Sequence, residues 1–137
     1  MKRIVQIWFD SNWLYGKDEE GTQYRQSVLW YRRLMDASPA QRADYTLSED
    51  GMHWRSINED IGFESFIERN NIEPNPMQTF FLTHREINLS SFAKKIGINA
   101  NLMRDYINGW KTPSSQRKAE ILSGVHTYAQ DLQQISF

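Results

Sequence analysis

The sequence predicts an α+β chain in two parts: a small N-terminal β-sheet domain with short helices over residues 1–72, then an all-helical domain over residues 73–137. Three observations carry this expectation. Short runs rich in β-branched and aromatic residues, separated by turn residues, fill the first part. In the second part the apolar residues recur three and four apart, the helical period. Between them residues 70–76, NNIEPNP, set two prolines and three asparagines where no helix can continue.

Residues 3–9 (RIVQIWF) and 13–16 read as strands, joined by a turn at Asp10, Ser11 and Asn12, residues that tolerate turn geometry. Residues 17–21 (KDEEG) form a polar turn, and residues 22–26 a third strand. Ser38 ahead of Pro39 is a helix cap followed by a first-turn proline, which predicts a short helix over Pro39–Ala43. Residues 45–47 and 52–55 form a hairpin around 48–51. Residues 61–68 close this part as a helix, with Asp60 as its cap.

In the second part Asn88 caps a helix, and Ala93 gives the small side chain that two steeply crossing helices need where they touch. Gly97 ends that helix in the left-handed conformation, and Ile98 plugs the corner. Asn99 caps a second helix, with Phe92, Ile96, Met103 and Tyr106 on the inner faces of the pair. Gly109 ends the second helix. After Pro113, Ser114 or Ser115 caps a helix over residues 117–123, and a final helix covers 125–135. Val125, Tyr128, Leu132 and Ile135 make one stripe on that last helix, fit to join two copies or to close the core.

Ala93, Gly97, Ile98, Gly109 and Pro113 together resemble the λ-repressor-like (XRE-type) helix-turn-helix family, whose signature runs A-x-x-x-G-hydrophobic, recognition helix, G-x-x-x-P. The likeness covers about residues 77–135. Leu89 stands where a polar glutamine is common, which removes one phosphate contact, and Trp110 where many relatives carry a basic residue. The resemblance implies that residues 99–108 enter the major groove of double-stranded DNA. Asn101 is then the first candidate reader, since an amide bonds adenine through both donor and acceptor; Arg104 bonds guanine bidentately, and Ala100 meets a thymine methyl. Asn99, Asp105 and Asn108 are the further candidates on that helix. Lys94, Lys95, Lys111, Thr112, Ser115 and Arg117 would position the phosphate backbone. One small domain reads few base pairs, so a homodimer on a two-fold operator is expected.

Charge supports the division. The whole chain carries a formal net charge of −1, unlike a nonspecific nucleic-acid coat protein. Residues 1–72 hold 9 Lys and Arg against 12 Asp and Glu, whereas 73–137 hold 7 against 5. Within 87–118, Lys94, Lys95, Arg104, Lys111, Arg117 and Lys118 face only Asp105, the modest basic footprint that duplex binding requires. With 0 cysteines the chain has no disulfide and no thiolate metal site, and without a secretory pattern or long apolar run the expected compartment is the cytoplasm, with no membrane contact.

Two segments of the first part also form a pattern: Leu34 to Arg42 (LMDASPAQR), and Gly51-Met52-His53-Trp54 followed by Asn58-Glu59-Asp60-Ile61. They resemble an uncharacterised bacterial family of the DUF2442 type, with its R-L-x-x-A-[ST]-P-x-Q-R and H-W-P…D-E-D-[IL] segments, across about residues 1–68. Arg55 and Arg32 each replace a common proline. The resemblance implies an architecture and a bacterial regulatory setting, and no reaction. Members can be encoded beside small toxin-like proteins, so the alternative is a protein-interaction adaptor or antitoxin whose first part binds a protein partner.

His53, Glu59 and Asp60 offer an imidazole and two carboxylates, a set able to hold a metal or move a proton. The plainer reading is a strand-end histidine and an acidic pair at a helix start. Phosphate-binding glycine loops, nucleophile elbows and Cys/His pairs are absent from the sequence, so no enzyme and no cofactor is expected. The tryptophans, Trp8, Trp13, Trp30, Trp54 and Trp110, suit a sheet core or an interface better than a stacking platform, because Asp10 and the KDEEG turn repel phosphate beside Trp8 and Trp13.

Overall fold

Two antiparallel three-stranded sheets, where the sequence suggests one, build the first part of the chain in a computed structural model that describes residues 2–137. The described chain divides into two units, Met1–Leu82 and Thr83–Phe137. In the first unit β1 (Ile4–Asp10), β2 (Trp13–Asp18) and β3 (Gln23–Ser27) form a meander in the order β1-β2-β3. Asp10 pairs with Trp13 around the expected turn, where Ser11 takes a φ of 53°. Burial alternates along β2, with Leu14, Gly16 and Asp18 facing inward.

Gly16 lies beneath the ring of Phe66: a Cβ there would sit 2.7 Å from Phe66 Cζ, so only glycine lets the ring reach the sheet. Buried Asp18 is satisfied locally, Oδ1 accepting from the backbone N–H groups of Glu20 and Thr22, each at 2.9 Å. Buried Gln26 donates to Ser65 Oγ at 2.7 Å and accepts from the Tyr31 hydroxyl at 2.6 Å. Both amide ends are therefore paired, as burial requires. On β3, Arg25 N–H donates to Asn70 Oδ1 at 3.0 Å and its carbonyl accepts from Asn71 N–H at 2.9 Å, while Arg25 Nε reaches Asn71 Oδ1 at 2.7 Å. The connecting segment is thus clasped to that strand.

The chain then forms α1 (Arg32–Met35), unforeseen in the sequence, and α2 (Pro39–Ala43), where Ser38 and Gln41 make the two reciprocal bonds of a capping box. A second sheet follows from β4 (Thr46–Leu47), β5 (Gly51–Trp54) and β6 (Glu59–Gly62). The last strand corrects the expected helix over 61–68. Asp60 pairs with His53 and Ile61 with Met52, and the helix α3 spans only Ser65–Glu68. Asp60 is consequently a strand residue and caps nothing. Ile61 and Phe63 are buried on either side of exposed Gly62, a period of two that a helix cannot present. Both sheets, with α1 through Leu34 and α3 through Phe66, contribute to one core of Ile4, Ile7, Leu14, Val28, Leu34, Met52, Trp54, Ile61, Phe63 and Phe66. Each such side chain contributes about 1.5–3 kcal/mol when fully buried. The helix α4 (Pro76–Thr83) follows the connecting segment.

The second unit contains α5 (Leu89–Lys95), α6 (Ala100–Asn108) and α7 (Ser115–Gln133). Its buried apolar residues are Phe92, Ala93, Ile98, Met103, Tyr106, Ile107 and Ile121. The last helix is continuous where two were expected. Ser114 alone caps it, accepting from Arg117 N–H at 3.1 Å, and Gly124 interrupts nothing. Glycine is needed there for packing: a Cβ at Gly124 would lie 2.6 Å from Ile96 Cγ2 and 3.3 Å from Phe92 Cζ. Gly124→Ala should therefore destabilise the protein, because overpacking costs about 1–3 kcal/mol whereas the gain in helix propensity is about 1 kcal/mol. Urea unfolding of the variant checks this, and a rise in the transition midpoint would refute it.

Candidate nucleic-acid interface

The corner between α5 and α6 is built from the residues the spacing singled out. Asn88 accepts from Ser91 N–H at 2.9 Å and starts α5. Ala93 is wholly buried, and Gly97 turns the chain with a φ of 78°. Ile98 N–H donates to Ala93 O at 2.9 Å, which satisfies a carbonyl at the helix end. Asn99 Oδ1 accepts from the N–H groups of Asn101 at 2.9 Å and Leu102 at 3.2 Å, so its oxygen is spent as the cap of α6. Gly109 ends α6 with a φ of 82°.

On α6, Asn101 and Arg104 are exposed one turn apart and bonded to each other, Arg104 Nη1 donating to Asn101 Oδ1 at 2.8 Å. Arg104 Nη2 donates to Ser90 Oγ on α5 at 2.5 Å. Ser90, which the sequence did not single out, therefore orients the guanidinium. The signal was its place in the first turn of the preceding helix. Ala100 is half-buried at the start of α6, and Asn108 half-buried at its end. Thr112 and Ser115 are exposed at the start of α7 and just before it.

The basic footprint is partly neutralised by Asp105 and by two acids of α7, Glu120 and Asp131. Lys111 Nζ lies 3.5 Å from Asp105 Oδ2, Lys95 Nζ 3.9 Å from Asp131 Oδ2, and Arg117 Nε 3.7 Å from Glu120 Oε2. Asp105 is thus not the only acid opposing these cations, and the local basic excess is smaller than the 87–118 segment alone suggests. Asp105 faces Lys111, and its carbonyl accepts from Trp110 N–H at 2.9 Å. Among the described residues Lys94, Arg104 and Lys118 make no ion pair within 4.0 Å. Lys94 and Lys118 are the cations ready to meet phosphate, Arg104 being held by Asn101 and Ser90.

The residues weighed for metal or proton chemistry do come together in part. His53 Nδ1 lies 2.6 Å from Asp60 Oδ1, and His53 Nε2 lies 2.8 Å from Ser48 Oγ. A serine, histidine and carboxylate in a row have the order of a nucleophile relay. Here the hydroxyl is held in a turn instead: Ser48 Oγ is 2.9 Å from Asp50 Oδ1 and accepts from Gly51 N–H at 3.2 Å. Asp60, with 72% of its side chain exposed, is open to water, which weakens any polarisation of the imidazole. The row ties the turn after β4 to β5 and β6. Glu59 stands apart, and burial raises its carboxyl above the usual range against the opposing pull of Arg33. No three His, Cys, Asp or Glu side chains among the described residues are grouped to hold a metal.

The segment 34–42 closes on itself. Arg42 Nε donates to Leu34 O at 2.9 Å, Arg42 Nη1 to Ser11 O at 3.0 Å, and the Trp54 indole N–H to Arg42 O at 3.0 Å. Both segments singled out in the first part thus meet at Trp54 and Arg42. Residues 4–71 match the family model described as Protein of unknown function (DUF2442).

Residues 4–71 are a DUF2442 domain. The DUF2442 domain accounts for both sheets, while α4 to α7 lie outside the match. No curated protein and no solved structure matches the chain. No helix of the described residues is long and apolar enough to cross a membrane.

Proposed function

We propose that the chain is a cytoplasmic bacterial transcriptional regulator whose second part is a λ-repressor-like helix-turn-helix that reads double-stranded operator DNA through α6. One observation carries the reading: the exposed Asn101–Arg104 pair stands at the open start of α6, just beyond the tight corner at Gly97. An amide and a guanidinium one turn apart match the donor and acceptor pattern of adjacent base edges in the major groove. Lys94 and Lys118, unpaired in charge among the described residues, add backbone contacts. The protein acts as a homodimer, with Leu132 and Ile135, 51% and 55% exposed, as the anchors on the end of the chain. The DUF2442 domain is its partner or sensor module.

Fluorescence anisotropy tests this with duplexes from the protein's own upstream region and a scrambled control over a salt series. Tight binding that prefers the native duplex is expected, with log K falling against log salt at about 0.9 per phosphate neutralised. Binding no better than the control overturns the reading in favour of the protein-interaction adaptor.

A further inference from the structure

Between β1 and α2 the DUF2442 domain holds a half-open cavity of about 590 Å³ lined by Ile7, Trp8, Phe9, Ala37, Arg42 and Tyr45. Its volume falls within the span of about 300–1,000 Å³ typical of small-molecule sites. The walls are aromatic and aliphatic, and no carboxylate lines them. Arg42 is the one charged group among those residues. Its donors go to backbone carbonyls: Leu34 O at 2.9 Å, Ser11 O at 3.0 Å and Met35 O at 3.5 Å. It makes no ion pair among the described residues, and a guanidinium has five N–H groups, so donors remain for a further acceptor. The guanidinium also lies 5.4 Å from the Phe9 ring centroid.

A half-buried cation held only by neutral acceptors sits where charge–charge attraction is stronger than in water. Burial lowers the Arg42 pKa from its ordinary value, the sign expected of a charge without a counter-ion. We propose that this cavity binds a small aromatic carboxylic acid, its ring against Phe9 and Tyr45 and its carboxylate on Arg42. The apolar walls take the ring, and the planar fork takes the carboxylate. This binding site stands whether or not the second part of the chain binds DNA.

The test uses the full chain and two probes of one shape, phenylacetate and neutral phenylacetamide, titrated by calorimetry and by backbone amide NMR shifts. Phenylacetate should bind with a Kd of about 1 mM or tighter, shifting amides of β1 and α2. Phenylacetamide should bind about ten-fold more weakly, since it lacks the charge. Arg42 also ties three carbonyls, so Arg42→Ala can fail to fold; Ala37→Phe fills the cavity and keeps those bonds, and it should abolish binding while the unfolding midpoint is retained. Equal affinity for the two probes, no saturable shift, or unchanged binding by Ala37→Phe overturns the proposal.

Discussion

Trp54→Ala is expected to remove about 3–5 kcal/mol of stability, the cost of truncating a fully buried large aromatic. Its side chain has no exposed surface, and it packs edge-on to Phe9 with ring centroids 6.1 Å apart and close to Tyr45 at 6.5 Å. The indole N–H also satisfies Arg42 O, so truncation leaves both a void and an unpaired carbonyl. Against a total of about 5–15 kcal/mol for a small domain this is a large fraction. Trp54→Phe separates the two parts: it restores most of the volume and should cost about 1–3 kcal/mol for the lost bond and the smaller ring. Chemical denaturation of both variants measures the difference. A Trp54→Ala protein within 1 kcal/mol of wild type, on the roughly ±0.5 kcal/mol scale of ordinary surface changes, would contradict the packing described.

The second large effect belongs to the Asn101–Arg104 pair. If α6 reads bases, Asn101→Ala and Arg104→Ala should each reduce the preference for the native duplex over the scrambled one by about 1–3 kcal/mol, or roughly five- to 150-fold. The losses should not add. Because Arg104 Nη1 bonds Asn101 Oδ1, removing either side chain frees the other, and a double-mutant cycle should return a coupling of about 0.5–3 kcal/mol. Ser90→Ala should give a smaller loss in the same direction, since it frees Arg104 Nη2. Additive losses would mean that the two side chains act separately. Unchanged preference in the double variant would remove α6 as the reading element.

Much of the first sheet was legible because its signals are local. The β-branched and aromatic runs and the turn at Asp10, Ser11 and Asn12 specify a hairpin without help from elsewhere. The capping box at Ser38 was equally plain, since both of its partners lie within one helical turn. Phe63, Phe66 and Ile67 are spaced as a helix face and masked the period-two pair Ile61 and Phe63, whose strand is set by His53 and Met52 across the sheet. Gly124 reads locally as a break; its real reason is Ile96 on another helix. The candidate site divides the same way. Caps, corner glycine and exposed positions follow from spacing, whereas the bond from Arg104 to Ser90 joins residues 14 apart on two helices. Glu120 and Asp131, which with Asp105 offset the basic footprint, lie on α7 and are distant in sequence from the motif helices.

The clasp of Asn70 and Asn71 on Arg25 has a consequence for how the domain may be cut and in what sequence it assembles. An edge strand with bare backbone groups invites another chain to pair with it. Here the asparagine amide and backbone take the place of a fourth strand's donors and acceptors at Arg25. The two sides are 45 residues apart, so that edge closes only after a long loop has been brought together, late in folding. A fragment trimmed before Asn70 leaves the edge uncovered, and it should self-associate where a fragment retaining Asn71 stays dispersed.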